Sequence, residues 1–178
     1  MKRFQAPWST PLKVITLSFS ALCLTVAGVL LFSGEPVLPW IAIFPIGLLF
    51  GTALFAVRDY TVTSGAIIVR RLLWETELAT ADLIGLEFDP DAMKASLRVG
   101  GNGGLFSFSG FFTNQKLGSY RAWVTDPKLS VILTFEDRKV VVSPRDPTGF
   151  VRDVLEIMNP DLETSAEPLR SRLRSVED

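Results

Sequence analysis

The chain has 178 residues, and its 18 lysines and arginines nearly cancel its 19 aspartates and glutamates, leaving a net charge of −1. The charge is unevenly placed: residues 14–57 hold a single one, Glu35, and the rest of the chain carries all the others. That division excludes a plain soluble globule, disorder over most of the length and a large multidomain protein.

Residues 1–13 carry Lys2, Arg3 and Lys13 and read as a cytoplasmic N-terminus. Two uncharged runs follow, Val14 to Gly34 and Pro36 to Val57. About 20 apolar residues cross a hydrocarbon core of roughly 30 Å, so the chain is expected to span a membrane twice, at 14–34 and 37–57. Ser33-Gly34-Glu35-Pro36 leaves room only for a tight turn between the spans. The loop has no basic residue, whereas Arg58, Arg70 and Arg71 follow the second span. The positive-inside rule then places both termini in the cytoplasm, in an inner or plasma membrane.

A signal peptide has a shorter apolar core, about 7–15 residues, and a small-residue cleavage site. A lipoprotein would need a small residue before the cysteine, where Leu22 stands before Cys23. Cys23 reads as a small apolar residue against lipid or the neighbouring helix. Pro45 lies inside the second span and is expected to kink it or mark a packing point. Neither span holds an ionisable residue within its apolar run, so the hairpin reads as an anchor rather than a transport pathway.

From Arg58 the pattern turns to short β segments. Asp59 to Thr63 and Ala66 to Leu73 flank the turn Ser64-Gly65. Thr76 to Leu78, Leu83 to Phe88, the alternating Met93 to Val99, and Tyr120 to Val124 follow. Leu129 to Glu136 and Lys139 to Ser143 form a hairpin across Asp137-Arg138. About seven strands in so short a stretch fit a small sandwich or barrel. Asp146 as N-cap and Pro147 start a helix whose stripe is Phe150, Val151, Val154, Leu155 and Met158, and Asn159-Pro160 stops it. Residues 159–178 read as a flexible, solvated tail; its Arg170, Arg172 and Arg174 are offset by five acids.

Two spans followed by about seven strands and a closing helix resemble bacterial pleckstrin-homology-like (PH-like) proteins. Tyr60-Thr61-Val62-Thr63, Ile67 to Arg71 and Ala81-Asp82-Leu83-Ile84 resemble the opening hairpin and third strand of that family. Gly103 to Phe106, Gly110-Phe111-Phe112, Asn114, Leu117-Gly118 and Tyr120-Arg121-Ala122 are similar to its glycine- and aromatic-rich middle. Val140 to Pro144, Asp146-Pro147 and Phe150 resemble its last strand and helix. The resemblance covers residues 58–158 and implies a membrane-anchored all-β PH-like sandwich or barrel capped by a C-terminal helix, used for binding or assembly. It does not extend to inositol phosphates. The basic residues that flank the first hairpin in eukaryotic relatives are replaced here by Thr61, Thr63, Ser64 and Ala66, with Arg70-Arg71 coming late.

The chain has no histidine, and its single cysteine lies in the apolar block, which removes imidazole chemistry, cysteine nucleophiles, structural zinc and disulfides. The pairs Glu75/Glu77 and Asp89/Asp91 are the remaining carboxylate candidates for acid catalysis and read as solubilising. Gly100 to Gly104 lacks GxGxxG spacing and a following helix, and reads as a mobile loop rather than a nucleotide site. No cofactor or metal is expected. A net charge of −1 argues against nucleic acid.

The run from Leu105 to Phe112 has two readings. Phe106 and Phe108, on one face by alternation, belong to a sandwich core; or Phe106, Phe108, Phe111 and Phe112, with Lys116 and Arg121 nearby, form an exposed binding surface. The functional expectation is a non-enzymatic module integral to the bilayer, which binds other membrane proteins or itself. The alternative is a sensor of anionic lipid or a small ligand at the membrane surface.

Overall fold

A computed structural model describes residues 1–35 and 37–158; the expected tail at 159–178 lies outside the described residues. The chain opens with strand β1 (Lys2–Gln5), followed by helices α1 (Thr10–Phe32) and α2 (Leu38–Leu54). Nine further strands follow: β2 (Asp59–Val62), β3 (Ala66–Arg70), β4 (Glu75–Ala79), β5 (Leu83–Phe88), β6 (Leu97–Leu105), β7 (Ser107–Asn114), β8 (Gly118–Val124), β9 (Val131–Phe135) and β10 (Lys139–Val142). Helix α3 (Pro147–Met158) closes the fold. The strands form a four-stranded sheet, β1-β2-β3-β4, and a six-stranded sheet, β5-β9-β10-β8-β7-β6.

The Ser64-Gly65 turn forms as expected: Thr63 N–H donates to the Ala66 carbonyl and Val62 pairs with Ile67. Asp146 caps α3, its side chain accepting the Gly149 N–H at 2.9 Å. Two strand expectations differ. Only the end of the Met93–Val99 stretch is strand, because residues 91–95 turn and Ala95 adopts a left-handed conformation at φ 52°. Gly100 to Gly104 is not a loop but lies within β6, paired with β7. Its glycines allow a close strand approach. Gly101 (φ +99°) and Gly110 (φ +144°) are cross-strand partners, and a Cβ on either would collide with the backbone of the other strand.

Residues 2–5, which alone look like nothing more than a basic flank, pair with β2 from Lys2↔Val62 to Gln5↔Asp59. Side chains fasten this strand: Arg3 bonds Asp59 at 2.6 Å, Lys2 bonds Asp153 at 2.8 Å, and Phe4 packs edge-on against Phe150. The start of α1 and the end of α2 therefore both lie against the sandwich. Ser9 N–H donates to the Thr125 carbonyl, while the Ser107 hydroxyl donates to the Phe55 carbonyl at 3.1 Å.

The two helices pack side by side through small buried residues, Cys23 and Ala27 of α1 and Ala42 of α2. Their outer surfaces expose large apolar side chains, among them Leu17, Leu24, Val29, Trp40, Phe44 and Phe50. Helix α1, with mean hydropathy 2.3 over its most apolar window, is long and apolar enough to cross a membrane; α2 is a shorter apolar helix that continues through Pro45.

The main core lies between the sheets. Tyr60, Val62, Ile67 and Val69 meet Trp123, Leu133, Val140 and Val142, and Phe150 and Val154 of α3 join them. At its centre the Tyr60 hydroxyl donates to the Trp123 carbonyl at 2.6 Å and accepts from Ser143 N–H at 3.1 Å. A second, smaller core covers the other face of the six-stranded sheet, where Ala92, Met93 and Leu117 lie over Phe112, Tyr120 and Ala122.

Candidate functional site

Beyond Trp123 the inner face of the six-stranded sheet runs out of core and opens into a cleft of about 700 Å³. Alternation along β8 puts Trp123 and Arg121 on the same face, and Phe111 is the cross-strand partner of Arg121. Arg71, directly after β3, reaches the same space from the other sheet, and Arg98 of β6 enters from the edge. The opposite wall is the C-terminal half of α2, through Gly47, Leu48, Gly51, Thr52 and Phe55. The volume lies within the range of small-molecule sites, about 300–1,000 Å³.

The cleft is electropositive. Among the described residues, no acidic side chain lies within ion-pair distance of Arg71, Arg98 or Arg121. Arg98 donates to the Gly101 carbonyl at 3.1 Å. Arg71 donates through Nη2 to Thr76 Oγ1, but its Nε is buried without a partner. The guanidiniums rest on aromatic faces: Arg71 lies 5.4 Å from the Trp74 ring centre, and Arg121 lies 5.3 Å from that of Phe111. Burial, and then the charge of Arg121, hold the Arg71 pKa below its ordinary value. Cations held this way gain from an incoming anion, and guanidinium forks suit phosphate oxygens.

The six residues expected to form one surface are separated. Phe111 and Arg121 line the cleft. Phe112 is buried in the second core, stacked on Tyr120, and Phe108 packs partly buried against the same cluster. Phe106 sits at the β6–β7 turn with φ 62°, so alternation with Phe108 breaks there; its N–H donates to Thr16 of α1 and its ring meets Trp8. Lys116 is held by Asp89 at 2.6 Å, in a turn that carries none of the cleft residues. Of the carboxylate pairs, Glu75 binds Arg70 and Asp89 binds Lys116. Among the described residues no group of three or more potential metal-ligating side chains is assembled.

Sequence reasoning missed Arg71, Arg98 and Trp123 as site residues. Arg71 carries the weak signal of two consecutive arginines at a strand end, but its partners come from strands far along the chain. Only the register of β6, β7 and β8 brings them together.

Two facing sheets closed by a C-terminal helix, with an arginine-lined cleft at one end, form a PH-like fold. The family model of the bacterial PH domain matches residues 58–157, and the chain belongs to that family. No curated protein and no solved structure matches it.

Proposed function

We propose that this chain is an integral membrane protein in which α1 and α2 form a two-span hairpin, holding a non-enzymatic PH-like binding module against the cytoplasmic face of the membrane. The arginine-lined cleft is its binding site, and the ligand is anionic. What carries the reading is the convergence of Arg71, Arg98 and Arg121, without acidic partners among the described residues, on a cavity walled by an apolar helix. Support for the hairpin comes from β1 pairing with β2 across both helices, which requires the flanks of the pair to share one side. The apolar outer faces of the helices need lipid around them.

The test uses the full chain in discs of neutral phosphatidylcholine, with thermal unfolding as readout. Pyrophosphate in solution, or anionic phospholipid in the disc, should raise the midpoint, and Arg71→Gln/Arg121→Gln should lose the rise. An effect of both anions that is the same in wild type and variant would overturn the reading.

A second reading, assembly with another membrane protein or a second copy, is favoured by the β6 edge, where Leu97 and Val99 are 72% and 70% exposed. Leu97→Lys/Val99→Lys should then reduce the size of the complex in mild detergent; an unchanged complex would contradict it.

A further inference from the structure

We infer that the edge of β2 is a strand-accepting site for an extended segment carrying two basic residues followed by an aromatic one, filled in this chain by its own residues 2–5 as a releasable plug. The site goes beyond the cleft and shares no residue with it.

The bacterial PH domain begins at residue 58, so β1 reaches it from outside, across both apolar helices. An uncovered β2 edge is a row of unpaired backbone groups, the template on which extended peptides add as a further strand. Alternation along β1 supplies the recognition. Phe4 lies opposite Tyr60 and Lys2 opposite Val62, so both take the core face; there Phe4 packs against Phe150, and Lys2 reaches Asp153 of α3 at 2.8 Å. Arg3 takes the other face and reaches Asp59 at 2.6 Å.

The two ion pairs are lopsided in burial. The side chains of Asp59 and Asp153 are 3% and 6% exposed, whereas those of Arg3 and Lys2 are 62% and 61% exposed. The domain thus holds two buried carboxylates, and the strand brings long cations to them from water. Among the described residues, the domain's own cations serve them poorly. Arg70 is 4.0 Å from Asp59, and Arg152, itself 70% exposed, is 3.7 Å from Asp153. A buried carboxylate without its cation is costly, so the vacated edge favours a segment with the same charges. The plug itself is lightly held. It has four residues, and Phe4, its one apolar side chain, is only partly buried. Such a strand opens locally while the core stays closed.

Hydrogen exchange of the full chain in discs of neutral phosphatidylcholine tests the release. Ala6 N–H donates to the Arg58 carbonyl and Arg145 N–H to the Gln5 carbonyl, so both amides report on the plug. They should exchange at least about a hundredfold faster than the paired amides of β9 and β10. Exchange in step with those strands would show that β1 opens only with the whole sandwich, and would overturn the release.

A labelled peptide with the sequence of residues 2–8, added to the same discs, tests acceptance. Phe4→Ser loosens the plug and leaves both carboxylates in place. It should bind the peptide at least about tenfold more tightly than wild type, whose tethered strand competes at high effective concentration. A peptide with both basic residues replaced by glutamine should bind this variant at least about tenfold more weakly, the worth of one charge-assisted hydrogen bond. Arg3→Ser is the second loosened variant should Phe4→Ser fail to fold. No gain in binding by a loosened variant whose β9 and β10 stay protected would overturn the site, as would equal binding of the basic and neutral peptides.

Discussion

The guanidinium of Arg121 lies 4.6 Å from the centre of the Trp123 ring, and Arg71 approaches the same ring at 5.7 Å. Two like charges sharing one indole are an arrangement that stability alone does not favour. Arg71 gains one hydrogen bond, to Thr76, and leaves a buried N–H unmet. It is kept in place by packing from both sheets and is free to gain from an anion.

Removing that cation should therefore help the empty protein. In neutral detergent free of anionic lipid, Arg71→Met is expected to leave stability unchanged or raise it by up to about 1 kcal/mol, since solvent screens a half-exposed guanidinium. The same substitution should abolish the stabilisation by anionic ligand. Thermal unfolding with and without the ligand checks both halves. A clear loss of stability in the empty state would show that Arg71 is structural.

Tyr60 makes the opposite prediction. Burial pushes its hydroxyl up to about 12, against the lowering effect of its hydrogen bonds with Ser143. A raised folded-state value means that the neutral phenol contributes its full stability below about 10, the ordinary tyrosine value. That stability is lost as pH rises from there through about 12. Tyrosinate absorbance and unfolding should then move together at alkaline pH. Tyr60→Phe should reduce that dependence, leaving the share of Tyr120, whose hydroxyl burial also raises. It should cost about 1–3 kcal/mol at neutral pH, because the Trp123 carbonyl and the Ser143 N–H lose their shared partner.

How far the residues foretold this arrangement depends on the range of the contacts involved. Local chemistry was readable: Ser64-Gly65 closes a hairpin, Asp146 caps a helix, and an uncharged run makes an apolar helix. The stripe on α3 was readable in part: Phe150 and Val154 are fully buried and Val151 and Met158 partly so, but Leu155, expected in it, is exposed. Lys2 to Gln5 was not, because its strand character comes from pairing with Asp59 to Val62 across both apolar helices. The glycines at 100–104 have loop composition, yet they are strand because Gly101 and Gly110 must cross without side chains. The cleft depends on three arginines whose proximity is fixed by strand register. The aromatic run divided because a left-handed Phe106 turns the chain between β6 and β7.

Gly110→Ala follows from that crossing. A Cβ there would collide with Gly100 and Gly101, in a backbone conformation that side chains rarely adopt. The expected cost is at least about 1–3 kcal/mol, from strain alone. It should appear as faster hydrogen exchange in β6 and β7 and weaker anion binding, with β2 and β3 protected as before. Unchanged exchange in β6 would contradict the close pairing.

Lys116 separates stability from binding. Burial raises the Asp89 carboxyl, but the Lys116 ammonium and the Asp91 N–H outweigh it and hold the carboxyl below its ordinary value. A depressed carboxylate contributes stability above its unfolded value and loses it as pH falls. Lys116→Met should therefore weaken that contribution at neutral pH, so that stability falls less steeply on acidification. Anion binding should be unaffected, because Lys116 is not in the cleft. Loss of binding in this variant would relocate the site to the β7–β8 turn.

In the proposed arrangement, α1 and α2 form a hairpin that sets the cleft against one face of a membrane. Site-specific labelling tests this most directly, in a Cys23→Ala background with a single new cysteine, either Glu35→Cys between the helices or Lys94→Cys on the sandwich. Both positions are exposed. A membrane-impermeant maleimide should label Glu35→Cys on intact cells, and Lys94→Cys only after the membrane is opened. Labelling of both positions from the same side would contradict it.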